Sequence, residues 1–144
     1  MSSRLRRIAL GYNRVVLDLG AGVKQTVRQL AAQAAICLVV TTDERTALTD
    51  ADAFIKLTAA RRPDADLRLV INLAASKGAG ERTYATLFKA CKIFLKVSPP
   101  LVGIVRHDAA VKDSIRHQSA MLTRLPNSRA AKDVQALAQN LLVS

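Results

Sequence analysis

Apolar residues follow two alternating patterns along the chain: short continuous runs and longer stretches at helical spacing. Runs rich in Val, Ile and Leu are typical of strands buried on both faces of a parallel sheet. Four such runs predict strands: residues 14–19, 36–40, 67–72 and 101–105. Stretches with apolar side chains three and four positions apart predict helices. Five long ones are residues 23–35, 47–62, 81–96, 109–118 and 128–142, and residues 3–10, followed by Gly11, predict a short one.

Strands that alternate with helices of this length predict an α/β fold, a mainly parallel doubly wound sheet with helices on both faces. We expect a single domain over residues 1–144, because no linker or repeat interrupts the sequence. Half of the residues are apolar, which is enough to bury a core without disulfides or metal. Cys37 and Cys91 lie in apolar or amphipathic runs, which predicts reduced core thiols and a cytoplasmic protein.

The net charge of +11 attracts polyanions, so nucleic acid and an anionic membrane surface are both open as partners. A peripheral position at the inner membrane is compatible with this charge. Aromatic residues make up only 3% of the chain, which leaves few rings for base stacking, and the basic residues are scattered. A solvated basic surface without a binding role is the alternative interpretation.

Polar residues at the carboxyl ends of the predicted strands mark the expected ligand edge, because open parallel sheets bind ligands there. Asp18 ends the first strand and is followed by Gly20 and Gly22 before a helix. Glycines allow the backbone to approach a phosphate, and a carboxylate there can hold a metal-bound water. An ordinary turn from strand to helix explains the same residues.

Asn72 closes the third strand, where its amide can pair with the edge of a base or can form a turn. Arg106, His107 and Asp108 follow the fourth strand. His117 is the only other histidine, and no cysteine or carboxylate cluster has ligand spacing. We therefore predict no metal site.

Residues 77–83 look like a phosphate loop, since they follow a strand, contain two glycines and open a helix. A working loop, G-x-x-x-x-G-K-[ST], has a lysine directly after its last glycine. Glu81 occupies that position, and no other segment of the sequence fits the motif. Independent ATP hydrolysis is not expected from such a sequence.

Taken in order, these motifs resemble the MinD/ParA class of deviant Walker ATPases, and most of all its FlhG/FleN branch, which controls flagellar number and placement. Residues 18–22 are similar to the family's Asp-x-Gly-Ala-Gly second switch, and residues 70–72 to the Val-Val-Asn whose Asn reads adenine. Three more segments resemble motifs of the branch: residues 46–51 (Thr-Ser-x-Thr-Asp-Ala), 101–111 (Leu-Gly-x-Ile-Pro-x-Asp-x-x-Val) and 115–128 (Arg-x-Gln and Pro-x-Ser).

The resemblance implies a P-loop NTPase-like fold, of which this chain corresponds to the C-terminal portion. It implies nucleotide contacts at Asp18, Gly20, Gly22, Asn72 and Asp108. The family is one of ATPases, but no catalytic residue is assigned in this chain, because the catalytic lysine is absent from the sequence. ATP and Mg are the implied cofactors, with Asp18 touching a Mg-bound water, and this chain alone is expected to bind them weakly or not at all. The family's Lys-Gly-Gly-x-Gly-Lys-Thr loop is not found in the sequence, and Arg106 replaces the usual proline of the adenine pocket.

The resemblance also implies a role in flagellar or positioning regulation, exerted through a protein partner or a homo-oligomer. Two alternatives come from other classes of function. One is half of an ATPase, completed by a separate chain that carries the phosphate loop. The other is a basic protein that binds nucleic acid or an anionic membrane.

In the resembled family, the strand that leads into the phosphate loop lies between the strand ending at Asp18 and the strand at residues 36–40. An unpaired strand would expose backbone donors and acceptors beside apolar side chains. We therefore expect these two strands to pair directly, or a second copy or a partner chain to fill the gap. We also expect Asp18 and Asn72 to lie at the same edge of the sheet.

Overall fold

A computed structural model describes residues 7, 9–20, 22 and 24–142, so the short helix predicted over residues 3–10 lies mostly outside the described residues. Three strands form one parallel sheet in the order β1-β2-β3: β1 Ile36–Thr41, β2 Asp66–Ala74 and β3 Leu101–Arg106. The helices are α1 Gln25–Ala31, α2 Arg45–Arg61, α3 Lys77–Ala90, α4 Ala109–Arg116, α5 Met121–Arg124 and α6 Arg129–Leu142, and a π-helical turn, Cys91–Leu95, extends α3. The predicted α/β class and the three later strands are confirmed.

Helices cover both faces of the sheet at β3. On one face Gly80 of α3 lies directly against Ile104, and on the other Leu137 of α6 lies against Gly103. Successive residues of a strand point to opposite faces, so these neighbouring positions contact helices on opposite sides. The doubly wound arrangement predicted from the alternating pattern is present at this strand.

The main core lies between the sheet and the pair of helices α2 and α3. Leu67 and Leu69 of β2 are buried against Ile55 of α2 and Leu87 of α3. Cys91 is also fully buried in this core. Both cysteines are unbridged, and burial, with a contribution from the charge of Asp52, raises the pKa of the Cys91 thiol to about 11. This thiol is therefore protonated at neutral pH, as expected for a core cysteine.

Helix α3 begins four residues earlier than predicted. The hydroxyl of Ser76 accepts a hydrogen bond from the Ala79 N–H at 3.1 Å and caps the helix, so the helix begins at Lys77. The two glycines of the apparent phosphate loop consequently lie inside the helix. Gly80 permits the close approach to Ile104, which explains why a glycine occupies this position.

The first predicted strand, residues 14–19, does not form. The structure describes this run as irregular, and Val16 is 90% exposed. A run of β-branched residues becomes a strand only where another strand offers partners for its backbone, and no described strand pairs with it. The predicted direct pairing with β1 is therefore wrong. Filling of the gap by a second copy or a partner chain stays a prediction.

Strand β1 consequently forms an edge of the sheet that is open among the described residues. Val39 and Thr41 are buried on the face that α2 covers, whereas Leu38 is 38% and Val40 57% exposed on the opposite face. Proteins often protect such edges with charged residues or proline, and β1 contains neither. An apolar edge of this kind is suited to pairing with another strand.

We expect Gly80→Ala to destabilise the protein although alanine favours helices. A Cβ at this position would lie 2.6 Å from Cγ2 of Ile104, so the strand or the helix must shift. Overpacking of this kind costs about 1 to 3 kcal/mol of unfolding free energy. Urea denaturation followed by circular dichroism measures the change.

Gly78→Ala is the matched control on the same helix. Its Cβ would come no closer than 3.6 Å to Nη1 of Arg82, which is an ordinary contact. This substitution should be neutral or stabilise by up to about 1 kcal/mol. An increase in stability for Gly80→Ala would contradict the close packing of α3 on β3.

Candidate functional site at the carboxyl edge of the sheet

The three parallel strands end at one edge, where a ligand is expected. Asn72 lies near the end of β2, and Asp108 follows the end of the adjacent strand β3. The two strand ends are paired, because Ala74 is the register partner of Arg106. The carbonyl of Ala74 also accepts a hydrogen bond from the His107 N–H at 2.8 Å. The structure therefore places two predicted site residues on neighbouring strands.

Asn72 stands at an irregular point of β2. Its Oδ1 accepts a hydrogen bond from the Leu73 N–H at 2.9 Å, and Leu73 has a φ of 55°. Leucine rarely adopts this left-handed conformation, and the pairing register shifts between Ile71 and Ala74. Both turn formation and base contact were open for this amide. This hydrogen bond reaches only the next residue within β2, whereas the turn-forming kind reaches the residue two positions on. Strained backbone of this sort is common at functional sites.

Asp108 connects two helices. One carboxylate oxygen accepts a hydrogen bond from the Ala110 N–H in the first turn of α4, and the other accepts from the Ala130 N–H in the first turn of α6, each at 3.0 Å. These backbone hydrogen bonds hold the pKa of Asp108 below its usual range. Both oxygens of this predicted nucleotide contact are therefore engaged in the fold.

Arg106 and Asp133 form the most extensive polar contact at this edge. Nε and Nη2 of Arg106 donate to the two carboxylate oxygens of Asp133 at 2.8 and 2.9 Å, and the Arg106 backbone N–H donates to the same carboxylate at 3.0 Å. Burial raises the pKa of Asp133, but the hydrogen bonds and charge of Arg106 outweigh it and leave that pKa below its usual range. The pair ties the end of β3 to α6.

Asp18, Gly20 and Gly22 lie outside the sheet. Asp18 is exposed, and a Cβ added at either glycine would meet no atom within 4 Å. Gly22 has a φ of 97°, which glycine adopts without strain, while the intervening Ala21 is outside the described residues. Asp18 was expected at the same edge as Asn72 because both were predicted to end parallel strands. The strand at residues 14–19 does not form, so this premise is wrong.

An open cleft of about 320 Å³ lies between the segment after β1 and helix α3. Its polar lining consists of Asp43, Arg82, Thr83 and Thr86. None of the predicted site residues lines it. Among the described residues, no group of three His, Cys, Asp or Glu side chains is arranged to hold a metal ion.

Solved structures with the same architecture identify the fold. The chain superimposes on the cell division protein MinD of Aquifex aeolicus with a TM-score of 0.76 and 16% identity, over 97% of this chain and 58% of MinD. A MinC:MinD complex from Aquifex aeolicus matches with a TM-score of 0.71 and 16% identity, over 98% of this chain and 56% of that one. The chain thus has an α/β, P-loop NTPase-like fold.

Sequence comparison gives the family. A family model described as cellulose biosynthesis protein BcsQ matches residues 1–142, and the chain belongs to this family of MinD/ParA-like proteins. It is 32% identical over 127 residues to antiactivator FleN of Pseudomonas aeruginosa, covering 88% of this chain and 45% of FleN. It is 28% identical over 131 residues to flagellum site-determining protein YlxH of Helicobacter pylori, covering 90% of this chain and 44% of YlxH. The chain therefore spans less than half the length of these relatives.

Sequence reasoning missed Asp133 and its pairing with Arg106. A signal was present, because Asp133 lies three residues after Ala130 and four before Leu137, on the apolar face of the last helix. A carboxylate on such a face is buried only with a partner. The missing information was which cation the fold would bring to it.

No helix among the described residues has both the length and the apolar character to cross a membrane.

We expect acid to weaken the fold through Asp108 and Asp133. Their folded-state pKa values lie below the unfolded value of about 3.9. Their contribution is therefore complete above that pH and is lost as the pH falls through the folded values. Asp133→Asn should lower the unfolding free energy at pH 7 by about 1.5 to 3 kcal/mol and make the loss on acidification shallower. Urea midpoints measured between about pH 5 and pH 2 test this.

Asp113→Asn is the control, because Asp113 pairs with Arg124 at 3.1 Å on the surface. An exposed pair contributes less than about 1 kcal/mol, so this variant should follow the wild-type pH profile. If the Asp133→Asn profile also ran parallel to that of the wild type, the buried pair would have no role in acid sensitivity.

Proposed function

We propose that this chain regulates flagellar number or position through contact with another protein, and that it does not hydrolyse ATP alone. The observation that carries the proposal is the 32% identity to antiactivator FleN over 88% of the chain. YlxH, a flagellum site-determining protein, supports the same role. The matching family model is named for cellulose biosynthesis, so the family match alone does not indicate a flagellar role. That part of the proposal rests on the two flagellar relatives.

The chemistry of the carboxyl edge supports action by contact over catalysis. Phosphoryl transfer depends on cations and backbone amides placed around the phosphates. Arg106 instead pairs with Asp133, and Asp108 instead caps two helices. Glu81 stands where the apparent loop would require lysine. Asp18, Gly20, Gly22, Asn72 and Asp108 remain proposed nucleotide contacts, by resemblance only.

The surface that we propose for the protein contact is the open edge and uncovered face of β1. Leu38 and Val40 are exposed there beside a row of backbone groups that no described strand pairs with. Addition of a strand from a partner satisfies such groups and buries the apolar side chains. The MinC:MinD structure is a precedent for a partner complex with this fold.

The same edge favours a second candidate function, an ATPase half completed by a separate chain. A strand from that chain would pair with β1 and bring a phosphate loop to the carboxyl edge. The two candidates differ in one respect: only the second requires a partner that carries a phosphate loop and hydrolysis by the assembled complex.

The isolated chain should not bind Mg-ATP with micromolar affinity, because its sequence offers no phosphate-loop lysine. Isothermal titration calorimetry measures the affinity, with Asp18→Ala as the test variant and Asp64→Ala, at an exposed carboxylate just before the start of β2, as its control. Micromolar binding that Asp18→Ala abolishes and Asp64→Ala preserves would refute this part of the proposal. Hydrolysis that requires a copurifying phosphate-loop chain would favour the second candidate.

Expression of the chain in Pseudomonas aeruginosa should increase the number of flagella per cell, because it would compete with FleN for a partner. Electron microscopy gives the count. Val40→Lys should remove the effect, since a charge on an open edge blocks strand addition. Ile115→Lys, at a residue 69% exposed on α4, should retain it. An unchanged count with a folded and abundant chain would refute the flagellar role.

A further inference from the structure

An exposed apolar tip lies at the π-helical turn Cys91–Leu95. Phe94 is 79% and Ile93 49% exposed, although Cys91 is fully buried and Leu95 packs against the core. The wider turn of a π-helix changes the angle at which successive side chains leave the axis, and such turns are frequent at functional sites. An aromatic side chain held outward between two core residues has no role in the fold described above.

Lysines surround this tip. Lys89, Lys92 and Lys96 are all exposed, and the sequence contains no acidic residue between Glu81 and Asp108. Helix α2, which packs against the turn, contributes the half-buried Asp52 near Cys91 and the exposed Lys56. Positive charge therefore predominates around Ile93 and Phe94.

We propose that Ile93 and Phe94 insert into the surface of an anionic lipid bilayer while Lys89, Lys92 and Lys96 contact its headgroups. Apolar side chains reach the boundary between headgroups and acyl chains, and nearby lysines gain from the negative surface potential. The tip is named the Phe94 tip below. The inference does not depend on the flagellar role.

The size and composition of the Phe94 tip favour a bilayer over a protein groove. Two adjacent exposed apolar residues cover far less area than a stable protein interface requires. Lysine is a compact charge on a flexible stem, suited to mobile headgroups, whereas fixed bidentate recognition uses arginine. The net charge of +11 adds long-range attraction to any anionic surface.

The position of the tip leaves the other surfaces accessible. Helix α3 begins after the carboxyl end of β2 and returns toward the start of β3, so the turn lies at the amino end of the sheet. The carboxyl edge with Asn72 and Asp108 is at the opposite end. One insertion point gives weak, reversible binding, and we expect it to depend on salt.

Cosedimentation of the 144-residue chain with lipid vesicles tests the charge component. We expect binding to vesicles that contain phosphatidylglycerol, little binding to pure phosphatidylcholine, and weakening as salt rises. Replacing Lys89, Lys92 and Lys96 by Gln should weaken binding about 100-fold, from roughly fivefold per lysine. Replacing Lys24, Lys112 and Lys132, which are also exposed, changes the net charge equally and should have much less effect.

Tryptophan fluorescence tests insertion, because the chain contains no tryptophan. Phe94→Trp should shift its emission to shorter wavelength when phosphatidylglycerol vesicles are added, and Ile115→Trp, at an apolar site that is 69% exposed, should not. Phe94→Ser should weaken vesicle binding about tenfold. Circular dichroism verifies that all variants are folded.

Three results would overturn the inference. They are equal weakening by the two triple-lysine variants, an unshifted Phe94→Trp spectrum in the presence of bound vesicles, and a Phe94→Trp shift produced by DNA but not by lipid. The first would assign binding to diffuse charge, the second would exclude insertion, and the third would assign the tip to nucleic acid.

Discussion

Backbone pairing between parallel strands is the constraint on which the rest of this structure depends. β2 pairs along both sides, and its residues Leu69 and Ile71 are almost completely buried. β1 pairs along one side only, and its outward-facing Leu38 and Val40 are exposed. Residues 14–19, which have a similar apolar pattern, pair with nothing described and stay irregular. Whether an apolar run forms a buried strand thus depends more on its number of neighbouring strands than on its hydrophobicity.

This dependence explains which elements could be predicted from the sequence. The runs that became β1, β2 and β3 have strand-like composition and also have neighbours, so local pattern and tertiary environment agree. Residues 14–19 have the composition without the neighbour. The hydrophobic pattern of a segment indicates that the segment can be buried, but it does not indicate whether a partner strand is present. For the same reason the sequence could not establish whether Asp18 lies beside Asn72.

The candidate site was predictable in position but not in the use of its side chains. Asp108 and Asn72 lie at the edge where parallel sheets bind ligands, as their places after strands implied. The hydrogen bonds of Asp108, however, cap two helices, and that of Asn72 supports an irregular point within β2. A carboxylate directly before a helix is favoured both for capping and for ligand binding, so residue type alone cannot separate the two. The Arg106–Asp133 pair required knowledge of how α6 packs on β3, which no local pattern contains.

The location of the polar contacts limits how binding at one surface can affect another. Asp108 joins α4 to α6, and Arg106 joins β3 to α6, so the carboxyl edge is stiffened on the side of the sheet away from β1. The described polar contacts include no comparable charged pair on β1 itself, whose sequence is uncharged. Addition of a strand there would extend the sheet without breaking a side-chain ion pair. Binding at the β1 edge and rigidity at the β3 edge are therefore compatible, because the central strand β2 separates them and is held on both sides.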